Sequence, residues 1–329
     1  MIRIALDAMG GDYAPLEIVR GAVEATLEQP ISVILVGLED KLLLELKKYK
    51  RVINISVEPS SEIISMDEPP AQAVKQKKDS SINVAVRLVK EKRADAVLSA
   101  GNTGALMASA LFGLGRIKGV ERPAIATIFP TGSGEILLLD MGANVDCKPK
   151  HLKQFAEMGS LYAEHVMHIQ NPRVGLLNIG EEEEKGNELT RTAHSLLKGT
   201  SLNFIGNVES KEILGGKVDV IVCDGFVGNL ILKFAESVSQ MMLKLLRKEL
   251  SKSPIAKLGG LLLLPTIKNI RKLTDYHEYG GATLLGINGV CFKAHGRAKG
   301  RAIKNALRVT AEAVKENLVE CISKVESKR

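Results

Sequence analysis

The chain has 329 residues, a mass of 35.6 kDa and a formal charge of +7, with 45 Lys and Arg against 38 Asp and Glu. At 45% hydrophobic and 25% charged residues it has enough apolar surface to offset the entropy of ordering, which excludes general disorder. An aromatic content of 4% without Trp argues against base-stacking nucleic-acid platforms, so no nucleic-acid partner is expected.

Taken in chain order, short β-branched runs alternate with amphipathic stretches. A strand at 2–7 precedes a helix at 15–28, a strand at 31–37 a helix at 39–50, and a strand at 52–57 two helices at 69–78 and 80–92. A strand at 94–100 leads to a helix at 103–114. Strands at 124–129 and 135–141 flank Thr131-Gly132-Ser133-Gly134, which reads as a hairpin. A helix at 149–168, a strand at 173–179, a helix at 187–198, strands at 202–206 and 218–224, and helices at 226–250 and 297–320 complete the pattern. Several strands are almost wholly apolar, as strands covered on both faces are. The repeated strand-then-helix order predicts an α/β fold with a doubly wound, mainly parallel sheet. One domain over 1–329 is expected, with a soft boundary between two lobes near 100–150 and a protruding apolar and basic segment at 250–275.

Ligands of such sheets bind beyond the carboxyl ends of strands, near helix N-termini. Four strands end in small, polar, Gly-rich turns. Asp7-Ala8-Met9-Gly10-Gly11-Asp12 lets the backbone approach a ligand closely; it is not the dinucleotide fingerprint GxGxxG. Ser99-Ala100-Gly101-Asn102-Thr103-Gly104 suits an anion, or is a helix cap. Asp140-Met141-Gly142-Ala143-Asn144-Val145-Asp146 clusters three polar side chains at one strand end. Cys223-Asp224-Gly225-Phe226-Val227-Gly228-Asn229 opens the helix from 226. All four turns are expected at one sheet edge, forming a site there.

Gly180-Glu181-Glu182-Glu183-Glu184-Lys185-Gly186-Asn187 follows the strand at 173–179. The glutamate run marks a solvated loop, whereas Lys185 suits a phosphate or a departing group as cation or acid. There is no Walker A loop, GxSxG elbow or HExxH helix, and His165 and His168 lack a third ligand nearby. Cys147, Cys223, Cys291 and Cys321 form no CxxC pair and read as small apolar residues of a reducing compartment. No metal site is expected. The N-terminal stretch turns polar too soon for a signal segment, and no run reaches the roughly 20 apolar residues that span a bilayer, so a cytoplasmic location is expected.

From Arg247 onward there are 17 Lys and Arg against 7 Asp and Glu. Such a surplus steers an acidic partner, or simply marks a solvated helix face. Within this region Pro254–Ile267 carries Leu258, Leu261, Leu262, Leu263 and Leu264 between cationic flanks. An apolar tip with a basic rim fits a membrane surface; a buried dimer interface fits equally well.

The blocks LDAMGGDYAP at 6–15, SAGNTGALMA at 99–108, ERPAIA at 121–126, LLDMGANVDCKP at 138–149, NIGEEEEKGNEL at 178–189, VCDGFVGNLILK at 222–233 and INGVCFKAHGRAKGRAI at 287–303 resemble the bacterial phosphate acyltransferases of phospholipid synthesis, the PlsX family. The resemblance runs from Met1 to the last helix. It implies transfer of a long-chain acyl group from acyl-ACP (acyl carrier protein) to inorganic phosphate. The acyl-phosphate product would then pass to a membrane glycerol-3-phosphate acyltransferase. It implies a fold similar to phosphotransacetylases and isopropylmalate dehydrogenases, a homodimer, peripheral attachment to an anionic membrane, and no cofactor. In this light Lys185, Asn229 and Asp224 are the expected catalytic residues. Asp7, Gly10, Gly11, Asn102, Thr103, Asn144, Gly225 and Gly228 are expected to bind phosphate and the acyl thioester. Lys293, Arg297, Lys299 and Arg301 are expected to dock ACP. The rival readings are a short-chain phosphotransacetylase acting on acyl-CoA, a metal-assisted NAD-dependent dehydrogenase of related fold, and a membrane-surface scaffold.

Overall fold

The computed structural model describes residues 1–131, 134–253, 259, 262, 263 and 280–327. Among the described residues eleven strands form one sheet: β1 (Ile2–Asp7), β2 (Ile31–Gly37), β3 (Ile55–Pro59), β4 (Ala96–Ser99), β5 (Ala124–Thr131), β6 (Gly134–Leu139), β7 (Val174–Leu177), β8 (Phe204–Val208), β9 (Val220–Val222), β10 (Ala282–Leu285) and β11 (Val290–Lys293). The helices are α1 (Leu16–Glu28), α2 (Glu39–Leu46), α3 (Pro70–Gln76), α4 (Ser81–Lys90), α5 (Thr103–Gly113), α6 (Pro149–His165), α7 (Glu188–Lys198), α8 (Gly225–Leu250), α9 (Gly300–Lys315) and α10 (Leu318–Glu326).

The strand order is β3-β2-β1-β4-β11-β10-β5-β6-β9-β7-β8, and seven of the ten pairings are parallel. The expected doubly wound sheet is therefore present. β4, β7 and β11 are buried along their whole length, which is why their sequences are apolar without alternation. One face is covered by α1, α6, α7, α9 and α10, through residues such as Ile18, Phe155, Leu197, Ile303 and Ile322. The other is covered by α3, α4 and α5 through Val74, Val84 and Leu106, with Ile231 and Leu232 of α8 packed against it.

Two local readings change and a third holds. The four-residue strands β10 and β11 are absent from the pattern read in the sequence, because runs this short, set among Gly280, Gly281, Gly286 and Gly289, carry no measurable period. The helix expected over 297–320 is two helices, broken where Asn317 takes the left-handed φ of 52°. The hairpin at 131–134 is present: β5 and β6 pair antiparallel down to Thr131 and Gly134.

Strand direction reverses through the middle of the sheet. β10 is antiparallel to both β11 and β5, and β5 is antiparallel to β6. The block β6-β9-β7-β8 thus runs opposite to β1–β4 and β11. This corrects the expectation that all four Gly-rich turns leave from one edge.

Close helix packing also depends on a glycine. α1 crosses α9 at Gly21, where a Cβ would lie 2.5 Å from the Ile303 Cβ and 2.6 Å from the Gly300 carbonyl oxygen. In an exposed helix Gly→Ala gains about 1 kcal/mol from propensity. Here overpacking, at about 1–3 kcal/mol, opposes that gain, and the backbone oxygen cannot rotate away. Gly21→Ala is expected to lower the thermal midpoint; an unchanged or raised midpoint would show that α1 and α9 separate freely.

Candidate active site

β1, β4 and β11 end side by side, with Asp7, Ser99 and Lys293 in one register row. Asp7 is 2% exposed. Its carboxylate accepts from the Ser99 hydroxyl at 2.7 Å and from the Met9 N–H at 3.2 Å, while the Ser99 oxygen accepts from the Gly101 N–H at 3.0 Å. Gly10 is required by this packing: a Cβ there would lie 2.5 Å from the Asp7 carboxylate and 2.6 Å from the Gly101 nitrogen. Beyond Gly11, the Asp12 N–H donates to the Gly296 carbonyl at 2.8 Å, tying the first turn to the segment after β11.

Lys293 is 8% exposed, so it is no part of a docking surface. Its place at the end of a fully buried strand overrides the hydrophilicity of its side chain. Its ammonium donates to the Ala294 carbonyl. Burial pushes its pKa down to about 8; Asp7 and Asp12 act in the opposite direction, and Lys233 of α8 adds to the depression. Arg297, Lys299 and Arg301, the other three expected docking cations, are exposed at the entry to α9.

Asn102 is also reassigned. Its side-chain oxygen caps α5 by accepting from the Ala105 N–H at 3.1 Å. Its amide faces the carbonyls of Ser65, Met66 and Glu68 at 3.4, 3.1 and 3.2 Å. The side chain is consumed in holding the 65–68 segment against the helix start and has no donor left for an anion. Thr103, next along, is exposed in the first turn of α5.

The second cluster lies where β6 and β9 end. Asp140 is fully buried and accepts from the N–H groups of Ile125, Gly142, Ala143 and Asn144 and from the Asn144 amide, at 2.7–3.2 Å. Asn144 donates as well to the Pro123 carbonyl at 2.7 Å, so its side chain holds the turn together and is not an anion ligand. Gly225 and Gly228 let α8 start against this turn. A Cβ on Gly228 would fall 1.9 Å from the Asp140 carbonyl oxygen, and one on Gly225 2.6 Å from the Asn144 oxygen. Asp224 caps α8 by accepting from the Val227 N–H at 2.9 Å. Asn229 is exposed one turn in, over Gly142. Burial pushes the Cys147 thiol up to about 12, so it stays protonated beside Asp140 and Asp224. Lys185 is exposed in the turn after β7, where Glu183 pairs with Lys198 and Glu181 with Lys211.

The two clusters leave opposite edges, yet they share a face. Thr127, Leu138 and Ile221 continue the Asp7–Ser99–Lys293 row, and Asp140 and Cys223 lie two residues past it. At the strand spacings of a sheet this is a step of about 7 Å along the strands and about 14 Å across from β11 to β6. Side-chain alternation puts Asp7, Ser99, Lys293, Asp140 and Cys223 on the face that α5 and α8 cover. α8 then climbs from the second cluster toward the first. Asn229 and Lys233, four residues apart, lie on one side of it, and Lys233 is near enough to influence Lys293. Ser99, Lys233 and the burial of Lys293 were not anticipated; their signal is the strand register, which needs the fold.

A family model described as fatty acid synthesis protein matches residues 2–321. The chain is 55% identical over 323 residues to a phosphate acyltransferase of Heliobacterium modesticaldum, covering 98% of this chain and 96% of that one. It is 53% identical over 320 residues to a phosphate acyltransferase of Endomicrobium trichonymphae, covering 96% and 95%. Among solved structures, a phosphotransacetylase from Streptococcus pyogenes superposes with a TM-score of 0.67 at 16% identity, covering 96% of this chain and 94% of that one. That likeness is of fold.

The depressed Lys293 pKa sets a pH dependence. The folded value lies below the ordinary 10.5, so the charged form carries a cost in the folded state that is fully present below about pH 8. Between about 8 and 10.5 the unfolded chain holds a proton the folded chain has lost, and stability contributed by this group rises. With phosphate absent, Lys293→Met is expected to be more stable than the parent at pH 7, by at most about 3 kcal/mol. The gap should close toward pH 10. A gap independent of pH in denaturant titrations would contradict the burial of the charge.

Proposed function

The chain belongs to the fatty acid synthesis protein family and is an acyltransferase, and from that premise we propose that it moves a long-chain acyl group from acyl-ACP to inorganic phosphate. The observation that carries this reading is the end-to-end match to phosphate acyltransferases, with two tight polar turns facing each other across one side of the sheet. In the reaction a phosphate oxygen attacks the thioester carbonyl, the new C–O bond forms, the C–S bond breaks, and the proton of hydrogen phosphate ends on the ACP thiol. Phosphate is the nucleophile, so no activated Ser or Cys is needed; the protein positions the anion and stabilises the oxyanion. Asn229 supplies a side-chain donor above the Asp140–Asp224 turns, and Lys185 a cation for phosphate or the departing thiolate. The acyl-phosphate product then feeds phospholipid synthesis through a membrane glycerol-3-phosphate acyltransferase.

Arg297, Lys299 and Arg301 form the docking patch for acidic ACP. Charge reversal there should raise the acyl-ACP KM more at low salt, because steering is screened by ions. An unaltered KM at low salt would move docking elsewhere.

Free ACP released from palmitoyl-ACP in the presence of phosphate is the direct test. The second reading, a short-chain phosphotransacetylase, draws on the fold likeness to the Streptococcus pyogenes enzyme. It predicts release of CoA from acetyl-CoA instead. Asn229→Ala should lower turnover about a hundredfold, the loss typical of one preorganised donor. Parent-like kinetics would remove Asn229 from the site.

A homodimer attached to an anionic membrane surface completes the proposal. Phe226, Leu230, Phe234, Met241, Met242 and Leu245 are exposed along α8, and Leu262 and Leu263 are exposed beyond it. Leu258, Leu261 and Leu264 lie outside the described residues. No helix among the described residues is long and apolar enough to cross a membrane. Burying an apolar side chain of this size contributes about 1.5–3 kcal/mol, enough in sum for reversible attachment. Leu262→Glu with Leu263→Glu should abolish sedimentation with anionic vesicles and leave the dimer intact by sizing. A monomer would place these leucines in the subunit interface, and retained sedimentation would reject the membrane role.

A further inference from the structure

Lys293 is more than nine-tenths removed from water, and its ammonium has three donors. Among the described residues one of them is used, toward the Ala294 carbonyl, and no carboxylate oxygen lies within ion-pair distance. The nearby carboxylates are engaged elsewhere. Asp7 accepts from Ser99 and Met9, and Asp12 faces Arg297 at 3.7 Å. A buried cation left in this state is costly to the folded protein. The other cation that acts on Lys293 is Lys233, which comes from the oppositely running half of the sheet and whose own partner is Glu236, one turn further along α8, at 2.9 Å. Lys233, one turn beyond Asn229 on the helix that covers the same face of the sheet, is a second cation for an anion drawn to the buried, under-satisfied Lys293.

We propose that Lys293 and Lys233 hold the acceptor phosphate between them, with Lys293 as the principal contact, at the ends of β4 and β11. The proposal rests on the acyl-transfer reading above and specifies where its nucleophile sits. It moves the phosphate away from the Asn102 side chain, whose amide and oxygen are spent on the 65–68 segment and the α5 cap. The Gly10–Gly11 turn and Gly101 allow close approach of backbone beside it. The Asn229 side chain stands one helical turn from Lys233, where the thioester carbonyl would meet the bound anion.

The experiment measures inorganic phosphate binding without any acyl donor, by calorimetry and by thermal shift. Phosphate should raise the midpoint of the parent protein. In Lys293→Met the shift should vanish and the phosphate Kd should rise at least tenfold, with the phosphate-free midpoint retained or raised. In Lys233→Glu, on an exposed part of α8, the Kd should rise at least fivefold; this variant carries the test should Lys293→Met fail to fold. An unchanged Kd in either folded variant, or a parent protein whose midpoint ignores phosphate, overturns the proposal. Turnover of palmitoyl-ACP by the parent is measured separately. Turnover with unaltered phosphate binding in the variants rejects this site alone, and phosphate binding at Lys293 without turnover rejects the acyl-transfer reading.

Discussion

The antiparallel hairpin of β5 and β6 sets the geometry on which the candidate site depends. β10, antiparallel to both its neighbours, leaves β5 running with β11, and the hairpin then turns β6 and the strands beyond it the opposite way, so that two wound halves of opposite direction share one sheet. In a uniformly parallel sheet all carboxyl ends share an edge, and ligands gather there. Here the ends of β1, β4 and β11 and those of β6, β9 and β7 point apart, and function requires another way of bringing them together. Short strands provide it. Because β4, β9 and β11 have three or four residues, the two sets of ends overlap along the sheet by a step of only two residues.

Much of this was legible in the sequence. Nine strands and the helices between them follow from apolar runs and their spacing, and the four polar turns stand where those runs stop. What could not be read was direction. Whether the Asp140 and Asp224 turns leave from the same edge as the Asp7 turn depends on which way the β5–β6 hairpin lies in the sheet, and that is set by β10, whose Ala-Thr-Leu-Leu carries no signature of its own. Its neighbour β11, equally short, hid Lys293. Read along the chain, Lys293 belongs with Arg297, Lys299 and Arg301 as one basic patch; read across the sheet, it belongs with Asp7 and Ser99. Asn102 and Asn144 show a second limit. Gly-rich turns with amides suit an anion in isolation, but here those amides satisfy backbone groups of segments distant in sequence.

The turns therefore divide into scaffold and instrument. Asp140 gathers four N–H groups and an amide, and Asn102 clamps a loop while capping a helix. Such fully satisfied networks rigidify what surrounds them. Lys293 is the opposite case, a group whose charge the fold tolerates without neutralising. Sites that bind or react are commonly strained or under-satisfied in this way, and the surrounding satisfied network keeps them in place.

The length of α8 has a mechanical consequence. At 1.5 Å per residue its 26 residues make a rod about 39 Å long, seated at Gly225 and Gly228 against the Asp140 turn. Lys233 stands about 10 Å from that seat and Leu245 about 28 Å. A tilt of about five degrees around the seat then carries the far apolar end through about 2.5 Å but Lys233 through less than about 1 Å. The rod works as a lever with its short arm at Lys233, so jostling of the distal end is attenuated roughly threefold before it reaches that lysine.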